Sequence, residues 1–94
     1  MKPVKFDCGQ LVATPGALEL LTMDRIVQIL CRHMDNDWGI VCREDWREND
    51  LSVRQGYRIL SVYYIVEDDP DSGTVWLITE WDRSSTTLLL PEEY

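Results

Sequence analysis

The sequence predicts an α+β fold: two or three N-terminal helices packed on one face of a C-terminal three-stranded antiparallel meander. Three observations lead there. Apolar residues recur at helical spacing through residues 15–34 and again through 43–55. From Tyr57 onward the apolar period changes to two. Two further β-type runs, 75–78 and 86–90, then flank a compact polar knot of Thr79, Glu80, Asp82, Arg83, Ser84 and Ser85. At 94 residues the chain, 1–94, is expected to be a single small domain with a thin core.

Residues 1–12 read as an extended arm. Val4 and Phe6 are its apolar positions, Leu11 and Val12 pack beside it, and Asp7-Cys8-Gly9 marks a turn. Thr14-Pro15 starts a helix, because the threonine hydroxyl can accept from the free first-turn donors. Proline at the first helical position gives up an N–H that would be unpaired anyway. Thr22 caps a second helix with Asp24 in its electropositive first turn; one continuous helix over 15–34 is the alternative. Met23, Ile26, Val27, Ile29, Leu30 and His33 or Met34 form the expected inner stripe, with Arg25, Gln28 and Arg32 on the other face.

Residues 35–39 break the pattern as a loop docked by Trp38. A third helix spans 43–55. Glu44 and Asp45 lie in its first turn, Trp46, Asn49 or Asp50, and Val53 face inward, and left-handed Gly56 follows its end. Ile59, Ser61, Tyr63 and Ile65 alternate with Leu60, Val62, Tyr64 and Val66. Both sets are largely apolar, which predicts a central strand. Residues 67–73 read as an acidic hairpin turn in which Pro70 and Gly73 stop pairing. Strands over 74–80 and 86–90 complete the meander, and residues 91–94 have no period.

Composition narrows the function classes. The net charge is −8, and residues 67–94 carry eight acids against Arg83 alone, which places −7 of it in the last third. An acidic field repels phosphate backbones, so direct nucleic-acid binding is not expected, whereas a basic protein surface would be attracted. The bland alternative is a solubilising surface. Three cysteines without a CxxC pair, Cys8, Cys31 and Cys42, argue against a disulfide scaffold and read as reduced, mostly buried thiols. The apolar runs are too short for a membrane span and residues 1–7 lack a signal-peptide core, which makes a cytoplasmic location the expectation.

Several segments carry a resemblance when taken in order. They are Ala13-Thr-Pro-Gly-Ala-Leu18, Arg32-His33 with Asp37-Trp-Gly39, Glu44-Asp45, Glu48-Asn49, Gly56-Tyr-Arg-Ile-Leu-Ser61, Trp76-Leu-Ile-Thr-Glu80, Asp82-Arg-Ser84, Thr86-Thr87 and Leu90-Pro-Glu-Glu-Tyr94. Over residues 11–94 the chain resembles a family of small bacterial proteins borne on plasmids and other mobile elements, the "plasmid-related protein" type. Asn36 stands where that family has glycine, and asparagine also tolerates the left-handed conformation. The resemblance implies mobile-element biology, in which small acidic proteins block host defence proteins. It implies no activity and no cofactor.

Three constellations are candidates for function. His33 with Asp35 and Asp37 offers imidazole and carboxylates to a divalent metal, but the spacing matches no established ligand motif, so capping or packing at a helix end is the preferred reading of the histidine and no metal site is assigned. Asp82, Arg83 and Thr86 form an expected turn clamp, with Arg83 paired to Glu80 or Asp82. No general base lies near the hydroxyls of that knot, so no catalytic residue is assigned. Glu67, Asp68, Asp69, Asp71, Glu80, Trp81, Asp82 and Tyr94 form the expected partner-binding surface, an acidic field with aromatic anchors. The leading expectation is a non-enzymatic interaction module for a basic host protein, in its sharper form an anti-defence inhibitor occupying a nucleic-acid groove. A metal-assisted hydrolase built on the His33 loop is one alternative. A homodimer paired through the edge of strand 86–90 is the other.

Overall fold

A computed structural model of the chain describes residues 5–94; Val4 of the expected arm lies outside the described residues. The elements are β1 (Gln10–Ala13), α1 (Pro15–Leu20), α2 (Met23–Met34), α3 (Arg43–Gln55), β2 (Ile59–Val66), β3 (Asp69–Thr79), β4 (Ser85–Leu89) and a closing 3-10 turn, Pro91–Glu93. The α+β class holds, but the sheet has four strands, ordered β1-β4-β3-β2. The arm supplies the fourth: β1 pairs parallel with β4, Gln10 opposite Ser85 through Ala13 opposite Leu88. β4 therefore lies inside the sheet, between β1 and β3, which corrects the expectation of a dimer through that edge.

The helix starts and stops follow their local chemistry. The Thr14 and Thr22 hydroxyls accept from the Ala17 and Arg25 N–H groups, so 15–34 is two helices broken at an extended Leu21. Gly56 ends α3 in the left-handed conformation, with its N–H on the Ser52 carbonyl. Asn36 also adopts positive φ, 61°, in the loop after α2.

The β2–β3 turn is tighter than expected. It consists of Glu67 and Asp68, and β3 is continuous over Asp69–Thr79, although Pro70 to Gly73 have no ladder partner on β2, as expected of Pro70 and Gly73. Tyr64 pairs with Thr74 but Val66 with Asp69, so β3 bulges there. Proline is tolerated because a bulged residue needs no ladder N–H, and the Ser72 hydroxyl fills in by accepting from Val66 N–H at 2.9 Å.

β2 is an edge strand, not the central one, and its outer backbone is masked residue by residue. The Asn49 side-chain amide bonds both backbone groups of Leu60, donating to the C=O at 2.6 Å and accepting from the N–H at 3.1 Å. Val62 exchanges backbone bonds with Trp38 and Ile40 of the loop. Here Gly39 at φ 78° comes so close that a Cβ would stand 1.9 Å from the Val62 carbonyl oxygen. The guanidinium of Arg25 donates to the Tyr64 carbonyl at 2.7 and 3.1 Å. Such covering removes the template for edge-to-edge association.

One sheet face carries the core. Tyr63, Val75, Leu77, Leu88 and Leu90 meet Ala17, Leu21, Ile26 and Ile29 of the first two helices. A second cluster of Phe6, Cys8, Trp38 and Ile59 packs against Met34, Trp46 and Val53. Full burial of a side chain such as Ile29 or Leu77 contributes about 1.5–3 kcal/mol. The inner stripe of α2 is rotated from expectation: Arg25 is buried, while Met23 and Val27 are exposed. The Arg25 bonds to β2 need that inward placement. Cys8 is buried, but Cys31 and Cys42 are exposed, and all three are free thiols. Among the described residues, no helix is long and apolar enough to cross a membrane.

Candidate functional site

His33 sits at the sheet side of α2, fully buried, edge-on to both Phe6 and Trp38. Its Nδ1 lies 2.5 Å from Ser61 Oγ and its Nε2 lies 2.8 Å from Thr79 Oγ1. Thr79 Oγ1 lies 2.7 Å from Thr86 Oγ1, and Thr86 donates to the Cys8 carbonyl at 2.7 Å. That carbonyl can only accept, which sets the direction of the whole chain. Thr86 gives its proton to Cys8 C=O, Thr79 donates to Thr86, and imidazole Nε2–H donates to Thr79. Nδ1 is then the acceptor for Ser61 O–H. His33 is thus held as the neutral Nε2–H tautomer, and burial, with the Arg83 charge, lowers its pKa to about 4.

The same geometry gives His33, Asp35 and Asp37, the residues of the metal alternative, separate surroundings. Both ring nitrogens of His33 face hydroxyls inside the core. Asp37 instead takes a two-point bond from Arg32, at 2.9 and 3.2 Å, and accepts from Gly39 N–H. Burial acts to raise the Asp37 pKa, but these bonds outweigh it and hold the carboxyl below its usual range. Asp35 is exposed at the C-cap of α2. Among the described residues, no group of three or more His, Cys, Asp or Glu is placed to hold a metal ion.

The turn clamp exists, with different partners. Asp82 accepts from Ser84 N–H across the turn at 3.0 Å, as an Asx-type turn requires. Arg83 pairs with neither carboxylate. Its guanidinium donates to the backbone carbonyls of Tyr57, Glu80 and Ser52, at 2.7, 3.1 and 2.8 Å, and lies over the Phe6 ring. It ties the β3–β4 turn to the end of α3, as a further donor to a Ser52 carbonyl that already accepts from Gly56 and Tyr57 N–H. Thr86 belongs to the buried hydroxyl chain.

The expected partner surface is divided. Glu67, Asp68, Asp69 and Asp71 occupy the β2–β3 end of the sheet, and Glu80, Trp81 and Asp82 the β3–β4 end. Ten residue steps of β3 separate them, about 30 Å at ~3.3 Å per residue, less at the bulge. Trp81 is 65% exposed.

Tyr94 lies on the Glu80 side of this division, joined to Glu80 through Arg58. Its ring meets Trp76 at 5.5 Å, and Arg58 lies over it at 5.2 Å while donating to its hydroxyl at 2.6 Å. The 3-10 turn brings it there, held by Glu93, which accepts from the Thr14 hydroxyl at 2.6 Å and from Leu90 and Gly16 N–H. These bonds hold the Glu93 carboxyl below its usual range.

Trp76 and Tyr94 stand on the sheet face opposite α1 and α2. Between them and α3 opens a cavity of about 550 Å³, with Leu60 and Ile78 on its floor and Asp45 and Glu48 on its helical wall. That volume is within the ~300–1,000 Å³ of typical ligand clefts. Asp45, Glu48, Asn49 and Ser52 share one stripe of α3. The two inner residues bury against β2, leaving the two carboxylates at the rim. The sequence reading placed Asn49 or Asp50 on the inner face of α3 and Tyr94 on the partner surface, but did not join them to Asp45 and Glu48; the i, i+3, i+4 and i+7 spacing of Asp45, Glu48, Asn49 and Ser52 was the usable signal.

Comparisons of the chain with protein-family models, curated proteins and solved structures found no match.

Proposed function

We propose that this chain is a non-enzymatic protein-interaction module that binds a basic protein surface, with the sheet face opposite α1 and α2 as its contact face. The observation that carries the reading is the cavity on that face, where exposed carboxylates of α3 stand above an apolar floor beside Trp76 and Tyr94. Aromatic anchors inside a polar rim are the usual anatomy of a protein contact. The net charge of −8 favours a basic partner and disfavours a nucleic acid. The mobile-element resemblance supports a host nucleic-acid-binding protein as that partner, with the module acting as an anti-defence inhibitor in its basic groove. The acidic hairpin Glu67–Asp71 and the Trp81 turn serve long-range steering rather than the central contact.

Affinity capture from bacterial lysate at low and high salt, with wild-type protein and a Trp76→Ala/Glu48→Lys variant, tests the reading. The expected result is a specific partner that is lost at high salt and lost with the variant. A variant that captures the same proteins as wild type refutes the contact face. The absence of any specific, salt-sensitive partner refutes the module itself.

A further inference from the structure

We infer that the cavity between α3 and the sheet receives an arginine side chain of the partner; this names the anchor of the interaction proposed above and rests on that reading. The first ground is the resident cation. Arg58 already stacks on Tyr94 at 5.2 Å and bonds the phenol oxygen at 2.6 Å, so this aromatic wall accommodates a guanidinium in the folded chain. Its charge is partly met by Glu80, 3.7 Å from its Nε.

The second ground is the charge left over. Among the described residues, neither Asp45 nor Glu48 has an ion-pair partner, and both line the cavity. Three residues apart on one helix face, they present two carboxylates to the same space. A second guanidinium entering beside Trp76 would meet both carboxylates with its planar fork and the indole with its face. That combination distinguishes arginine from lysine, whose ammonium is a compact, strongly hydrated point charge. The apolar floor of Leu60 and Ile78 suits the aliphatic stem of the same side chain. Anionic ligands meet the carboxylates unfavourably, and a purely apolar one would leave them desolvated without a partner.

The test uses the full chain, ¹⁵N-labelled, titrated with Nα-acetyl-arginine amide, Nα-acetyl-lysine amide and the capped norleucine analogue. The four tryptophan indole N–H signals are the readout. The expected result is a saturable shift of the Trp76 indole with the arginine probe in the millimolar range, a several-fold weaker response to lysine, and no shift of buried Trp38. Asp45→Asn with Glu48→Gln, both at exposed positions, should weaken binding about tenfold, the equivalent of one charge-assisted contact, and leave the rest of the spectrum unchanged. Equal responses to arginine, lysine and norleucine overturn the inference, as does a Trp76 signal that stays silent. A silent Trp76 alongside salt-sensitive capture of a partner sinks the arginine anchor and leaves the module. A saturating Trp76 shift without any captured partner does the reverse.

Discussion

Acidification from pH 7 toward pH 4 should destabilise this protein through His33 before most carboxylates are protonated. In the unfolded chain the imidazole takes up a proton near its ordinary pKa of 6.5, whereas in the fold it stays neutral down to about 4. The unfolded state therefore binds more protons between those values, and stability falls as the pH falls through that window. Full stability from this residue is present above pH 6.5. The loss grows by at most about 1.4 kcal/mol per pH unit, which over two and a half units gives roughly 3 kcal/mol. The cause lies in the hydroxyl chain: a proton on Nδ1 would meet Ser61, whose own proton must then turn toward the Leu77 carbonyl, a long 3.5 Å away. Urea unfolding at half-unit intervals from pH 7 to 4.5 measures the effect. His33→Gln keeps an amide donor for Thr79 without a titrating group, so the readout is the difference in slope and not the absolute stability. Parallel slopes for wild type and variant through pH 6.5–4.5 would refute the neutral, core-locked histidine.

Two further perturbations probe the scaffold that holds the candidate site. Asn49→Ala removes both side-chain bonds to Leu60 and should cost about 2–3 kcal/mol in urea unfolding. The uncovered β2 edge should also show as concentration-dependent association in light scattering, and a variant that stays monomeric at wild-type stability would contradict the masking role. At Arg83, where φ is 60°, alanine loses the three carbonyl bonds and keeps the backbone strain, while glycine loses the bonds and relieves it. Thermal unfolding should rank Arg83→Gly above Arg83→Ala by about 1 kcal/mol, both below wild type; the opposite order would show that the left-handed conformation is not strained here.

The helices were largely legible because their signals are local. Thr14 with Pro15, Thr22 with Asp24, and Gly56 each act on a neighbouring backbone group within a few residues, so α1 and α2 as separate helices and α3 over Arg43–Gln55 appear in the structure where those residues place them. Asp82 and Asn36 behaved likewise, one bonding two residues on and the other adopting positive φ. The sheet order was not legible. Nothing in Gln10-Leu-Val-Ala13 marks it for parallel pairing with β4, because that pairing depends on where α1 and α2 return the chain. The rotation of α2 was hidden for the same reason, since a sequence stripe that includes Met23 and Val27 cannot anticipate that Arg25 is needed at Tyr64.

The candidate-site residues divide along the same line. The amino-acid sequence alone determined the acidic balance, the α+β class, the capping of the helices and the Asx turn at Asp82. These follow from composition and from interactions closed within a few residues. Only the tertiary structure decided that His33 joins Ser61, Thr79 and Thr86 in the core, 28 to 53 residues away. It also decided that Arg83 bonds carbonyls instead of carboxylates, and that Asp45, Glu48, Trp76 and Tyr94 border one cavity. Each of those groupings joins residues from different elements. Their positions are set by how α2, α3 and the 3-10 turn pack against the sheet, a global minimum of buried surface and satisfied polar groups that no local pattern encodes.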